Sequence, residues 1–109
     1  MPDEISGEIR SADLPLFDEA IAMYDKGITT GVNSHNEKLI GASLEYEKEF
    51  SASQQQMILD PQTSGGLLAA LPADQAAELV KELAQIPTPA AVIIGEVISS
   101  GGKPGLIIA

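Results

Sequence analysis

The residues best suited to chemistry lie in one short segment between two apolar runs, from Asp60 to Gly66 (DPQTSGG). Gly65 and Gly66 permit a positive φ and let the backbone approach a ligand closely. The hydroxyls of Thr63 and Ser64, with the N–H groups that follow them, could form a small nest for an anion. Asp60 could accept a hydrogen bond or face a metal ion. These features predict a ligand-binding loop.

The same segment also fits a purely structural role. Pro61 biases Asp60 away from helix, and the two glycines suit a tight turn or bulge that leads into a buried strand. In that role Asp60 and Thr63 close hydrogen bonds from side chain to backbone. Composition leaves both interpretations open.

The other reactive side chains do not form a complete active site. His35 is the single histidine and the chain has no cysteine, which excludes a histidine metal cluster, a catalytic triad and thiolate chemistry within this sequence. There is no P-loop lysine pattern and no metalloprotease spacing. We therefore assign no catalytic residue and no metal ligand to this chain.

Charge and hydropathy restrict the partners and the location. Sixteen acidic side chains against six basic ones give a formal net charge of −10, whereas nucleic acids and anionic membranes attract clustered Lys and Arg. We therefore expect no nucleic acid and no membrane partner. No apolar run reaches the roughly 18–20 residues of a membrane span and no signal peptide is visible, so we expect a cytoplasmic protein. The length predicts a single domain, residues 1–109.

Hydrophobic periodicity predicts two helices and four or five strands. Alternation at every second residue is typical of strands, and apolar positions three and four residues apart are typical of amphipathic helices. The predicted strands are residues 5–9, 44–50, 67–71, 91–98 and 106–109. The predicted helices are residues 73–85 and residues 16–26, the latter with a buried apolar face formed by Phe17, Ala20, Ile21 and Tyr24. The predicted class is α+β, a two-layer plait with both helices on one face of a mostly antiparallel sheet.

The connections between these elements carry further expectations. Gly27 ends the first helix in a left-handed conformation, and residues 27–43 form a long loop with at most one helical turn near residues 37–40. Residues 51–56 form a loop or a short helix. The continuous apolar run at 67–71 predicts a buried strand, and a glycine-rich turn at 99–105 pairs the last strand back on residues 91–98.

The segment from Asp60 to Leu68, DPQTSGGLL, resembles a motif in the C-terminal half of selenide, water dikinase (selenophosphate synthetase). Three other segments agree in chain order. Residues 14–16 (LPL) resemble the family's LPLL-type helix start, and residues 27–36 are similar to its G-h-x-P-G-G-T-x-x-N stretch. Residues 94–97 (IGEV) with the glycines at 101 and 102 resemble its closing strand and turn. The resemblance covers nearly the whole chain but only the C-terminal domain of the family.

The resemblance implies a function. Members of the family, in the AIR-synthase superfamily, convert ATP, selenide and water to selenophosphate, AMP and phosphate, with Mg²⁺ neutralising the phosphates. They are homodimers whose C-terminal α+β plait covers a nucleotide site formed mainly by the N-terminal domain. That domain, absent here, is the implied partner, and ATP and Mg²⁺ are expected only in the full-length enzyme. Residues implied for the substrate and phosphate cleft are Asp60, Gln62, Thr63, Ser64, Gly65, Gly66, Gly31 and Asn36.

The chain departs from the family pattern in the glycine loop (residues 27–36), where Thr30, Val32 and Asn33 stand in place of Pro, Gly and Thr. If the replaced glycine had a positive φ, the loop must be built differently around Val32. The family's nucleophile and magnesium aspartates have no counterpart here, so the isolated chain is not expected to be active. Two alternatives stay open: a non-catalytic binding or dimerisation module, and the matching domain of another AIR-synthase-superfamily enzyme, such as thiamine-monophosphate kinase or a hydrogenase-maturation protein.

Overall fold

The computed structural model describes residues 5–62, 65–88, 90–101 and 105–109. Helices and strands both contribute, which confirms the α+β class. In chain order the elements are β1 (Ile5–Ile9), a 3-10 turn (Ser11–Asp13), α1 (Ala20–Asp25), α2 (Asn33–Ile40), a 3-10 turn (Gly41–Ser43), β2 (Leu44–Tyr46), α3 (Ala52–Leu59), α4 (Ala73–Leu83), β3 (Gly95–Ser99) and β4 (Leu106–Ile108). Within these ranges no helix has the length and apolar character needed to cross a membrane.

The strands form one mixed sheet in the order β2-β4-β1-β3. β1 pairs antiparallel with β3, while β4 lies parallel to both β1 and β2. The prediction of a mostly antiparallel sheet is therefore only partly met. The predicted pairing of the last strand with residues 91–98 is wrong, because β1 lies between β3 and β4. Ile108 of β4 is completely buried, as its place between two neighbouring strands requires.

Helices α1, α2 and α3 pack mainly on one another, around α3. Ser51 begins α3 with a capping box, in which its hydroxyl accepts from the Gln54 N–H and the Gln54 side chain accepts from the Ser51 N–H. The short-helix alternative for residues 51–56 is thus confirmed, and the helix continues to Leu59. Leu59 is buried at 3% exposure, which places the centre of this helical layer directly before the DPQTSGG segment.

The structure corrects two expectations in the first half of the chain. The helix predicted at 16–26 begins only at Ala20. Leu14, which precedes a proline, is extended (ψ 126°). Phe17, expected on its buried face, is 89% exposed. The helix ends as predicted, at Gly27 with φ +78°.

Two further elements of the first half differ from prediction. The loop predicted at 27–43 contains α2, which is two helical turns rather than one. The strand predicted at 44–50 ends at Tyr46, because the chain then turns and places the buried ring of Phe50 5.4 Å from the ring of Tyr46.

The largest disagreement concerns residues 67–71, which form no strand in the described structure. Leu67 is fully exposed and Leu68 is 77% exposed. An apolar run favours burial, but burial also needs a partner surface, which a local pattern does not specify. Helix α4 confirms most of the prediction for residues 73–85 but buries none of its residues. Among the described residues neither α1 nor α4 packs extensively on a strand, so the expected layer of both helices on one sheet face is not observed there.

The strand predicted at 91–98 is displaced toward the C-terminus, to Gly95–Ser99. Pairing with β1 starts at Gly95, which lies opposite Ile9. The preceding residues make no ladder, although the Ile94 carbonyl still accepts from the Arg10 N–H at 2.8 Å.

Candidate functional site

Two asparagines of α2 hold the C-terminal turn of α3. The Asn33 amide Nδ2 donates to the Gln56 carbonyl at 3.3 Å, and the Asn36 amide Nδ2 donates to the Leu59 carbonyl at 2.8 Å. The donors are three residues apart and so are the acceptors, so one face of α2 matches one turn of α3. The last four carbonyls of a helix have no partner within it. Side chains of α2 therefore satisfy two of them.

Asn33 also organises the loop that leads into α2. Its Oδ1 accepts from the hydroxyl of Thr30 at 2.6 Å and from the Thr30 N–H at 3.3 Å. The Thr30 hydroxyl in turn accepts from the Val32 N–H at 3.1 Å. Asn33 is 2% exposed, so its partners replace water almost completely.

The three departures from the family's glycine pattern thus have a structural account. Val32 has φ −91°, in the ordinary right-handed region, so no glycine is needed there. Thr30 and Asn33 close the loop with side-chain hydrogen bonds instead.

Asp60 follows α3 directly, and its carboxylate is held from two sides. The Tyr24 hydroxyl donates to Oδ1 and the Gln62 amide Nε2 donates to Oδ2. Tyr24 lies on α1, 36 residues earlier in the chain. The Asn33 amide Nδ2 donates to the same Tyr24 hydroxyl oxygen at 3.1 Å. A continuous series of hydrogen bonds therefore joins the glycine loop to the start of the DPQTSGG segment.

This environment raises the pKa of Tyr24 above its usual value. Burial is the largest cause, followed by the hydrogen bond to Asp60, since an ionised phenol could no longer donate to a carboxylate. The hydrogen bond from Asn33 acts in the opposite direction. Tyr24 is therefore a neutral donor at physiological pH.

An open cleft of about 310 Å³ lies beside this series of hydrogen bonds. Its walls come from α1, the glycine loop, α2 and α3. The lining residues are Tyr24, Gly27, Thr29, Thr30, Asn33, Ser34, Glu37 and Gln56. The cleft offers hydroxyl and amide groups and one carboxylate, which suits a polar ligand more than an apolar one.

The remaining sequence-predicted residues have different surroundings. The Gly65 N–H donates to the Gln62 carbonyl at 3.3 Å, and a Cβ on Gly65 would stand 3.0 Å from the Gln62 Cβ. Gly66 and Gly31 face open space, and neither has a positive φ. The anion nest predicted at Thr63 and Ser64 lies outside the described residues.

The described residues contain no group of three or more His, Asp or Glu side chains close enough to hold a metal ion. His35 lies exposed on α2. Sequence reasoning missed Tyr24, which was assigned to an apolar helix face, and it treated Asn33 only as a departure from a pattern. Asp60 lies 36 residues from Tyr24, and Gln56 lies 23 residues from Asn33, so no local pattern could identify these two contacts.

Comparison with known proteins gives one consistent result. A selenide, water dikinase of Clostridioides difficile (strain 630) is 35% identical over 100 residues, which are 92% of this chain and 29% of that protein. A selenide, water dikinase of Clostridium botulinum (strain Eklund 17B / Type B) is 36% identical over the same shares. One of Aliarcobacter butzleri (strain RM4018) is 34% identical over 105 residues, 96% of this chain and 30% of that protein.

No model of a known protein family matches the chain. The chain spans just under a third of the length of the relatives named above. The chain is therefore a sequence relative of the selenide, water dikinases.

Proposed function

We propose that this chain is the C-terminal domain of a selenide, water dikinase, residues 1–109 forming one domain. It covers the nucleotide site of an N-terminal ATP-binding domain in a cytoplasmic homodimer. The whole enzyme converts ATP, selenide and water to selenophosphate, AMP and phosphate. In this proposal the chain contributes a wall of the reaction cleft and no nucleophile.

One observation carries the proposal: Asp60, where the DPQTSGG segment begins, is joined to the glycine loop, so two of the segments that resemble the family's motifs meet there. The glycine loop and the DPQTSGG segment are separated in sequence by β2 and α3. Hydrogen bonds from Asn33 through Tyr24 nevertheless join the loop to Asp60. Residues proposed for one cleft are expected to come from separate chain segments held by a rigid scaffold.

The apolar surface supports a large protein partner. Leu67, Leu68 and Leu71 are exposed in the segment that precedes helix α4 in the sequence, and Leu79 of α4 is exposed as well. The radius of gyration is 15.0 Å, against about 13 Å expected for a compact domain of this length. Several large apolar side chains left exposed within one stretch of chain indicate an interaction surface. We assign it to the rest of the enzyme, since the relatives are about three times longer than this chain and the same run continues the DPQTSGG motif.

ATP and Mg²⁺ are assigned to the rest of the enzyme. The formal net charge of −10 repels polyphosphate, and the described residues offer no complete set of metal ligands. Mg²⁺ would neutralise the phosphates in the full enzyme. The residues of this chain would orient polar groups of the substrate and exclude water. The residues proposed for the reaction cleft of the whole enzyme, which differ from those that line the open cleft beside Tyr24, are Asp60, Gln62, Thr63, Ser64, Gly65, Gly66, Gly31 and Asn36.

A hybrid enzyme tests this function. The matching segment of the Clostridioides difficile selenide, water dikinase is replaced by this chain, and selenide-dependent selenophosphate and AMP are followed by ³¹P NMR. We expect the hybrid to form both products, and the same enzyme without the segment to form neither. A folded hybrid that binds ATP and forms no selenophosphate would contradict the proposal.

A further inference from the structure

We propose that Tyr24 is the positioning residue of Asp60: its phenol, held by Asn33, fixes the orientation of the carboxylate that opens the DPQTSGG segment. A role of this orientation in the reaction rests on the proposed function. The hydrogen bond from Tyr24 to Asp60 lies within this chain and can be tested without enzyme activity.

The backbone on both sides of the contact is already constrained. Asp60 has φ −58° and ψ 130°, the extended conformation that the following proline favours. Tyr24 lies in the last turn of α1, just before the left-handed Gly27. Packing of α1 on α3 then brings the phenol to the carboxylate. What remains free is the rotation of the Asp60 side chain, and the two donors remove that freedom.

The direction of the hydrogen bonds follows from which atoms carry a proton to donate. An amide Nδ2 can only donate, so the Tyr24 oxygen accepts from Asn33. The phenol proton is therefore directed to the Asp60 carboxylate. Asn33 cannot turn its amide over, because its Oδ1 accepts from Thr30 on the other side. The series therefore runs from Asn33 through Tyr24 to Asp60 in one direction only.

Asp60 keeps capacity for a ligand in this arrangement. A carboxylate offers about four acceptor positions, and the structure gives each of its oxygens one side-chain donor, from Tyr24 and from Gln62. The remaining lone pairs point in directions that these two donors fix. A partly exposed carboxylate without such partners would rotate in solvent. The geometry therefore presents an aligned acceptor at the start of the segment.

Titration of Tyr24 tests the proposal. The chain has two tyrosines and no tryptophan, so Tyr46→Phe leaves Tyr24 as the only phenol. Its ionisation is followed by tyrosinate absorbance, with circular dichroism at each pH to verify the fold. We expect Asp60→Asn to lower the pKa of Tyr24 and Asn33→Ala to raise it, because Asp60 stabilises the neutral phenol and Asn33 stabilises the anion. Asp74→Asn, an equal loss of charge on α4, should change nothing.

The opposite signs separate positioning from packing. If the two residues only support the fold, both substitutions loosen the site and move the pKa of Tyr24 toward its ordinary value. That result, or a pKa that does not respond to Asp60→Asn, would overturn the proposal. If Asn33→Ala does not fold, Asn33→Leu, which also lacks the amide donor but keeps the size of the side chain, takes its place with the same expected rise in the pKa of Tyr24. The titration needs no selenide and no ATP, so an inactive hybrid enzyme would count against the proposed function and leave this result unaffected.

Discussion

Asn36 of α2 donates a 2.8 Å hydrogen bond to the carbonyl of Leu59, the last residue of α3. The bond closes the helix directly before Asp60, where the segment of chemical interest begins. Asn36 belongs to the part of the glycine loop motif that the chain shares with the family pattern. Its position shows that an asparagine proposed for the cleft also has a structural partner in this domain.

Removing this bond should cost stability. Asn36→Ala leaves a buried carbonyl without its side-chain donor, and we expect the free energy of unfolding to fall by about 1–3 kcal/mol. Urea unfolding measures the change. Ser34→Ala is the matched control, since Ser34 is an exposed residue of the same helix, and it should change stability by less than about 0.5 kcal/mol. Equal stability of the two variants would show that the bond does not form in solution.

Substitution by alanine should destabilise the domain at Gly95 but not at Gly66. A Cβ on Gly95 would stand 1.8 Å from the carbonyl oxygen of Glu8 in the neighbouring strand, so β1 and β3 must separate. We expect Gly95→Ala to lower the free energy of unfolding by about 1–3 kcal/mol or more. Gly66 has no atom near the Cβ position and no positive φ, so Gly66→Ala should be neutral or slightly stabilising. Thermal unfolding compares them, and a large loss for Gly66→Ala would contradict this structure.

The raised pKa of Tyr24 predicts a dependence of stability on alkaline pH. The unfolded phenol ionises near pH 10, and the folded phenol ionises at a higher pH. Between these two values the folded state holds a proton that the unfolded state has lost, so stability falls as the pH rises through this interval. Comparing urea unfolding at pH 8 and above pH 10, we expect Tyr24→Phe to lose less stability than the parent chain. An identical loss in both would show that Tyr24 has no raised pKa.

Sequence patterns predicted the elements that are determined by residues close together in the chain. Alternation identified β1, the amphipathic repeat identified α4, and a glycine identified the end of α1. The sheet order could not be predicted, because β1 separates two strands that a glycine-rich turn suggests should pair. Helix α2 was missed because its sequence, NSHNEKLI, has little apolar periodicity. It is held by the side chains of Asn33 and Asn36 on the backbone of α3.

The candidate site was predictable to a similar extent. The DPQTSGG segment stands out by composition, and Asp60 was identified from it. The donor to Asp60 could not be found in the same way, since Tyr24 lies 36 residues away and has the spacing of a core residue. Hydrogen bonds between distant segments depend on the packing of α1 on α3, and no residue pattern near Asp60 records that packing.

Whether the DPQTSGG segment serves the reaction is tested most directly by comparing the stability and the turnover of the Thr63→Ala and Ser64→Ala variants. Urea unfolding of this chain gives the first quantity, and selenophosphate formation by the hybrid enzyme gives the second. If the DPQTSGG segment serves the reaction, stability should change by less than about 0.5 kcal/mol, while turnover falls at least about tenfold, the equivalent of one hydrogen bond made in the transition state. A loss of about 1 kcal/mol in stability with unchanged turnover would make the segment a structural turn and contradict the account.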